Sequence, residues 1–133
     1  MNPKIFVNLA IRDLPKSMAF YEELGFKNNP QFTDETAACM VLSDEIYVML
    51  LTHEKFKNFI PTSLADTRKS TGALYALTRE SREHVDEMVR TAVAAGGNTY
   101  NEPQDHGFMY QHGFQDPDGH IWEPFYMNPE AVA

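Results

Sequence analysis

One order of elements occurs twice in this chain of 133 residues, and that repetition limits the possible folds more than any other feature. At 5–11, Ile5, Val7, Leu9 and Ile11 alternate with Phe6, Asn8 and Ala10, a period of two that predicts a strand with one aliphatic face. Asp13 then stands at a helix N-cap position, Pro15 falls in the first turn and Gly25 lies past the last turn. Between them Met18, Phe20, Tyr21 and Leu24 recur at helical spacing, so a helix is expected over about 14–24. Two apolar runs, 37–42 and 46–52, are split by Ser43-Asp44-Glu45 and read as a hairpin, with a further strand expected around 28–33.

After a polar connection at 53–71, expected to hold a short helix, the order returns. Residues 73–78 are strand-like, and Ser81 caps a helix whose buried stripe would be Val85, Met88, Val89, Ala92 and Val93, ended by Gly96-Gly97. Strands are expected near 98–100, at 108–115 and at 121–126. A shift of 74 residues lays Ile46 over His120 and Met49 over Glu123, a duplication of pattern without identity of letters. The chain is thus read as one α+β domain over 1–133, with one module at about 1–60 and another at about 72–128.

Asp116-Pro117-Asp118-Gly119 is the strongest turn signal, and it leaves two registers open. A loop of Pro117-Asp118 alone sets His112 opposite Glu123. A type I turn followed by left-handed Gly119 sets Gly113 opposite Glu123 and sends His112 to the other face.

A net charge of −8 and the lack of a basic stripe argue against a nucleic-acid partner. Apolar runs stop well short of the roughly 20 residues that span a bilayer, and the start MNPKIFVNL has no apolar signal core, so a cytoplasmic protein without membrane contact is expected. The single cysteine, Cys39, lies in an apolar run and is expected to pack as a small hydrophobe.

Arg12-Asp13-Leu14 with Ser17, Phe20-Tyr21 and Leu24-Gly25-Phe26 resembles the opening of the vicinal oxygen chelate superfamily, which includes glyoxalase I, extradiol dioxygenases, fosfomycin-resistance enzymes and bleomycin-resistance proteins. The stretch from Phe114 to Glu123 resembles its closing hairpin. The resemblance implies two βαβββ modules forming an open eight-stranded cup, a small ligand held inside it, and a homodimer. It leaves open whether modules pair within a chain or swap between chains.

Metal-dependent members commonly draw two His and two Glu from the first and last strands of each module, a donor set suited to divalent zinc, nickel, manganese or iron. Carried onto this chain residue by residue, those positions fall on Phe6, Met49, Ala73 and Glu123. Only Glu123 keeps an expected donor, so no metal is expected.

The resemblance would place Phe6, Asn8, Tyr47, Met49, Tyr75, Tyr110, Glu123 and Phe125 around a small, aromatic or cationic ligand, an apolar lining with few polar anchors. Whether the protein is an enzyme stays open. A metal-free isomerase would use Glu123, its pKa raised by burial, as general base and Tyr110 or His112 as proton donor. The alternative is a divalent-metal-dependent lyase or extradiol dioxygenase. Trp122 is expected to face away from Glu123. His53, His84 and His106 read as structural, and His120 as solvent-facing.

Overall fold

A computed structural model describes residues 2–131, which form two compact units that divide between Asp66 and Thr67. The first runs β1 (Ile5–Ile11), α1 (Leu14–Glu23), β2 (Lys27–Asn29), β3 (Ala37–Val41), β4 (Ile46–Thr52) and α2 (His53–Lys57). Its sheet has the order β1-β4-β3-β2, with β1 and β4 parallel and the other pairs antiparallel. Alternation along β1 gives the sheet two chemically different sides. Leu9, Ala38, Met40, Val48 and Leu50, all at most 1 % exposed, share the side covered by α1.

Asp13 caps α1 by accepting from the Lys16 N–H at 3.1 Å. The helix buries Leu14, Phe20 and Tyr21, and Tyr21 meets Phe20 and Phe26 edge to face with ring centroids 5.1 and 5.2 Å away. Each such side chain contributes about 1.5–3 kcal/mol on burial, so this one face supplies much of the unit's stability.

The strand expected at 28–33 ends at Asn29. Pro30 has no N–H for the ladder, and the Asn29 side chain accepts from the Gln31 N–H at 3.1 Å, which turns the chain into a short 3-10 helix, Pro30–Phe32.

The second unit runs β5 (Leu74–Thr78), α3 (Arg82–Ala94), β6 (Gln104–Asp105), β7 (Met109–Gln111), β8 (Phe114–Gln115) and β9 (Ile121–Met127). β5 lies parallel to β9, which pairs on its other edge with β7 and β8, and β6 adds to β7. The fold is α+β as expected, with sheets of four and five strands. Two changes make this sheet five-stranded: the segment expected at 108–115 is divided, and β6 at 104–105 takes the place of the strand expected at 98–100. β7 and β8 keep one continuous register on β9, from Met109 opposite Met127 to Gln115 opposite Ile121.

The interruption at His112-Gly113 has an identifiable cause. The Thr99 hydroxyl donates to the Gly113 carbonyl at 2.7 Å, and the His112 ring donates from Nε2 to the Asn101 carbonyl at 2.8 Å. The strand expected at 98–100 is reduced to a single bridge, Asn98 to Gln115.

Ser81 caps α3 by accepting from the His84 N–H at 3.1 Å. Val85, Met88, Val89 and Ala92 are buried, but Val93 is 45 % exposed and does not join the buried stripe expected from the sequence.

Candidate functional site

The face of the first sheet opposite α1 is set by β1 and β4, buried around Ala10, Leu51 and Cys39 and open at Phe6. Phe6 pairs with Tyr47 and Asn8 with Met49, so all four expected residues share one side, opposite the α1 face. Phe6 and Tyr47 stack nearly parallel, with centroids 4.3 Å apart and planes 8° apart. The Lys4 ammonium stands 5.7 Å from the Tyr47 ring centre, and the Tyr47 hydroxyl donates to the Asp44 carbonyl at 3.0 Å. Phe6 remains 50 % exposed, an aromatic surface stiffened by its neighbour. Asn8 donates to the Phe6 carbonyl at 3.0 Å. Cys39 lies opposite Met49 but is buried, and burial pushes its thiol pKa up, which disfavours the nucleophilic thiolate.

On the second sheet the turn decides what Glu123 can meet. Asp116 is buried, and its Oδ1 accepts from the N–H groups of Asp118 and His120, each at 2.9 Å. Gly119 has a φ of +91°, and a Cβ there would overlap the Thr67 carbonyl. The bulged register results: Phe114 lies opposite Trp122 and Gln115 opposite Ile121, which sets Gly113 across from Glu123. The N–H of His112 donates to the Pro124 carbonyl.

Three expected site residues therefore stand on the wrong side for Glu123. Tyr75 is paired with Trp122, and both belong to the face opposite Ala76 and Glu123. Tyr110 pairs with Tyr126, and its hydroxyl donates to Asp86 on α3 at 2.6 Å. His112, two residues along, shares that helix-covered side, so neither it nor Tyr110 can be the proton donor for Glu123. The physical reason is strand alternation: residues an odd number of places apart along β9 and its partners face opposite ways. Phe125 keeps the side of Glu123. Trp122 is buried, its ring centre 5.2 Å from that of Tyr75.

The phenol beside Glu123 is Tyr100, which the sequence offered only as part of a strand. A Cβ on Gly113 would overlap the Tyr100 hydroxyl, so the phenol lies across the glycine that faces Glu123. Burial, and then the negative charge of Glu123, push the Tyr100 pKa up, so its hydroxyl keeps its proton at neutral pH. No periodicity marks a lone loop tyrosine.

His120, expected at the solvent edge, is 8 % exposed and buried by the turn. His106 is exposed with its ring 6.2 Å from that of Phe108. His84 approaches the Ser81 hydroxyl through Nδ1 at 3.0 Å, and His53 opens α2.

Residues 5–123 match the family model of the Glyoxalase/Bleomycin resistance protein/Dioxygenase superfamily. The chain belongs to this superfamily.

Among solved structures, hypothetical protein SA1046 from S. aureus is 30 % identical, with a TM-score of 0.79 and 95 % of each chain covered. A glyoxalase/bleomycin resistance protein/dioxygenase family enzyme from Burkholderia phytofirmans PsJN is 22 % identical, with a TM-score of 0.76 over 92 % of this chain and 96 % of that one. Fosfomycin resistance protein FosX from Mesorhizobium loti is 12 % identical, with a TM-score of 0.71 over 100 % and 99 % of the two chains. The last two likenesses concern the fold alone. No curated protein matches the sequence significantly.

Superfamily membership raises the question of a divalent metal, and the donor chemistry of the residues present does not fit one. In the first module, Phe6 offers no lone pair and Met49 only a soft thioether. In the second, Ala73 precedes β5, and the β5 residues sharing the face of Glu123 are Leu74, Ala76 and Thr78, of which only Thr78 carries an oxygen, a neutral hydroxyl. Leu74, not Ala73, is therefore the structural counterpart of Phe6, a correction of one residue that leaves the donor set unchanged. Among the described residues, no three His, Cys, Asp or Glu side chains gather as a metal site.

Proposed function

We propose that this superfamily member binds a small, flat organic molecule, aromatic and preferably cationic, at the sheet faces that carry Phe6, Asn8, Tyr47 and Met49 in one module and Glu123 and Phe125 in the other. No metal takes part in this reading. The observation that carries this reading is the exposed Phe6–Tyr47 stack, centroids 4.3 Å apart. A rigid aromatic surface gains a flat ligand's stacking at little entropic cost. Glu123, in a chain of net charge −8, supports the preference for a cation. The protein would act as a cytoplasmic homodimer; among the described residues no helix is long and apolar enough to cross a membrane.

The test is titration of N-methylquinolinium and of uncharged quinoline against the protein, followed by calorimetry. Saturable binding that favours the cation supports the proposal, with Phe6→Ala weakening it by about two- to tenfold, the worth of one aromatic pair, and Glu123→Gln erasing the charge preference. Absence of saturable binding, or binding indifferent to both substitutions, overturns it.

One observation favours a second, enzymatic reading. The protonated Tyr100 hydroxyl beside Glu123 supplies an acid next to a carboxylate, the pairing a metal-free isomerase needs to remove a proton at one carbon and return one at another. Under this reading Tyr100→Phe and Glu123→Gln each abolish turnover of a substrate found by screening, whereas Tyr110→Phe leaves it intact.

A further inference from the structure

α3 carries two adjoining stripes. Val85, Met88, Val89 and Ala92 pack toward the sheet. Asp86, Val89, Arg90, Val93 and Ala94, at the next helical positions round, form one wall of an open groove of about 670 Å³ within the second unit. The facing wall is Tyr110 and His112 from the sheet, with Thr99 and Pro103 closing the end. This groove lies on the helix-covered side of the sheet, the side that Glu123 does not face.

Several observations bear on its occupant. The floor is apolar, and Val93 is left 45 % exposed in the last turn of an otherwise amphipathic helix. The polar groups are few and held in place. The Tyr110 hydroxyl donates to Asp86 Oδ1, and the Arg82 guanidinium covers the Tyr110 ring at 5.2 Å. The His112 ring is held by its Nε2 donation to the Asn101 carbonyl. Burial first, and then the bond to Asp86, push the Tyr110 pKa up to about 12, so the hydroxyl remains a donor throughout the physiological range. Arg90 makes no ion pair or hydrogen bond, and Asp86 keeps Oδ2 without a partner, among the described residues.

We propose that this groove is a second small-molecule site, which takes an uncharged ligand with an apolar, ring-sized body and one head group that both donates and accepts, such as an amide, lactam or urea. The size falls in the range of about 300–1,000 Å³ typical of small-molecule pockets, too small for a protein partner to fill as its main contact. The head follows from charge complementarity: Asp86 and Arg90 stand one helical turn apart. A carboxylate head meets Arg90 but also Asp86, and an ammonium head the reverse. A neutral donor–acceptor group satisfies Asp86 Oδ2 and the Arg90 N–H groups together without a like-charge contact.

Three probes with one bicyclic body separate the possibilities: 1-naphthaleneacetamide, 1-naphthaleneacetate and 1-(1-naphthyl)ethylamine, titrated with amide chemical shifts followed by NMR. The amide is expected to bind best, with shifts centred on Val89, Val93, Thr99 and His112. Val93→Asp, at an exposed position that leaves the core intact, should weaken it about tenfold or more by placing a charge against the apolar body. Arg90→Gln should weaken the amide about two- to fivefold. Phe6→Ala, on the other unit, should leave it unchanged, so this site and the one proposed above fail or survive separately. The proposal is overturned if either charged probe binds better, if the shifts move to the residues around Glu123, or if Val93→Asp has no effect. It is also overturned if sedimentation shows that Val93→Asp dissociates a dimer, because the groove then belongs to a second copy of this chain.

Discussion

Gly113 is the residue on which the second sheet face depends. Tyr100 lies across it, so any side chain there must expel the phenol. Gly113→Ala is expected to cost about 1–3 kcal/mol by overpacking, measured by urea denaturation, and to return the Tyr100 pKa toward its ordinary value. Tyr110, on the other side of the sheet, makes a second residue-scale prediction. Its folded pKa of about 12 exceeds the ordinary tyrosine value of 10.0. A group that holds its proton more tightly when folded contributes stability that is whole below the unfolded pKa and is lost as pH rises through the folded one. Thermal stability should therefore decline between pH 10 and 12, and Tyr110→Phe should make that decline shallower. The roles of the two tyrosines could not be separated by sequence. Tyr110 sits in a strand among plausible partners, whereas Tyr100 sits in a loop that the strand pattern could not place.

At the scale of elements, legibility followed periodicity. β1 and β4 were readable to the residue because one aliphatic face alternates with a different one, and α1 to within one residue because its cap, proline and glycine bracket an apolar stripe. The strands at 28–33 and 98–100 were overread for one shared reason: local side-chain bonds outcompeted the ladder, through Asn29 and Pro30 in one case and through Thr99 and His112 in the other. Val93 was assigned to the core because helical spacing cannot distinguish two adjacent stripes. The hairpin after β8 offered two registers, and Gly119 decided between them. Gly119→Ala, with φ at +91° and a carbonyl in the way, is expected to cost about 1–3 kcal/mol. Hydrogen exchange should show the loss in the β8–β9 amides first. A milder change, Asp13→Ala, should cost about 1 kcal/mol by uncapping α1.

For the whole molecule, two modules of similar order carry different chemistry on the sheet faces opposite their long helices. The first presents stacked aromatic rings and a thioether, the second a carboxylate beside a protonated phenol. The superfamily's fold was legible from two end motifs and the repeat between them, because those features govern backbone geometry. The ligand was not, since an apolar face recognises shape through contacts that no motif encodes. The lack of any nitrogen or oxygen donor at Phe6, Met49, Leu74 and Ala76 is the proposition on which the metal-free account stands. The most direct test is metal analysis of protein purified without chelator, followed by calorimetric titration with Ni²⁺, Zn²⁺, Mn²⁺ and Fe²⁺. The account predicts no stoichiometric ion and no saturable heat from any of the four. One tightly held ion per chain, released by Glu123→Gln, would contradict it.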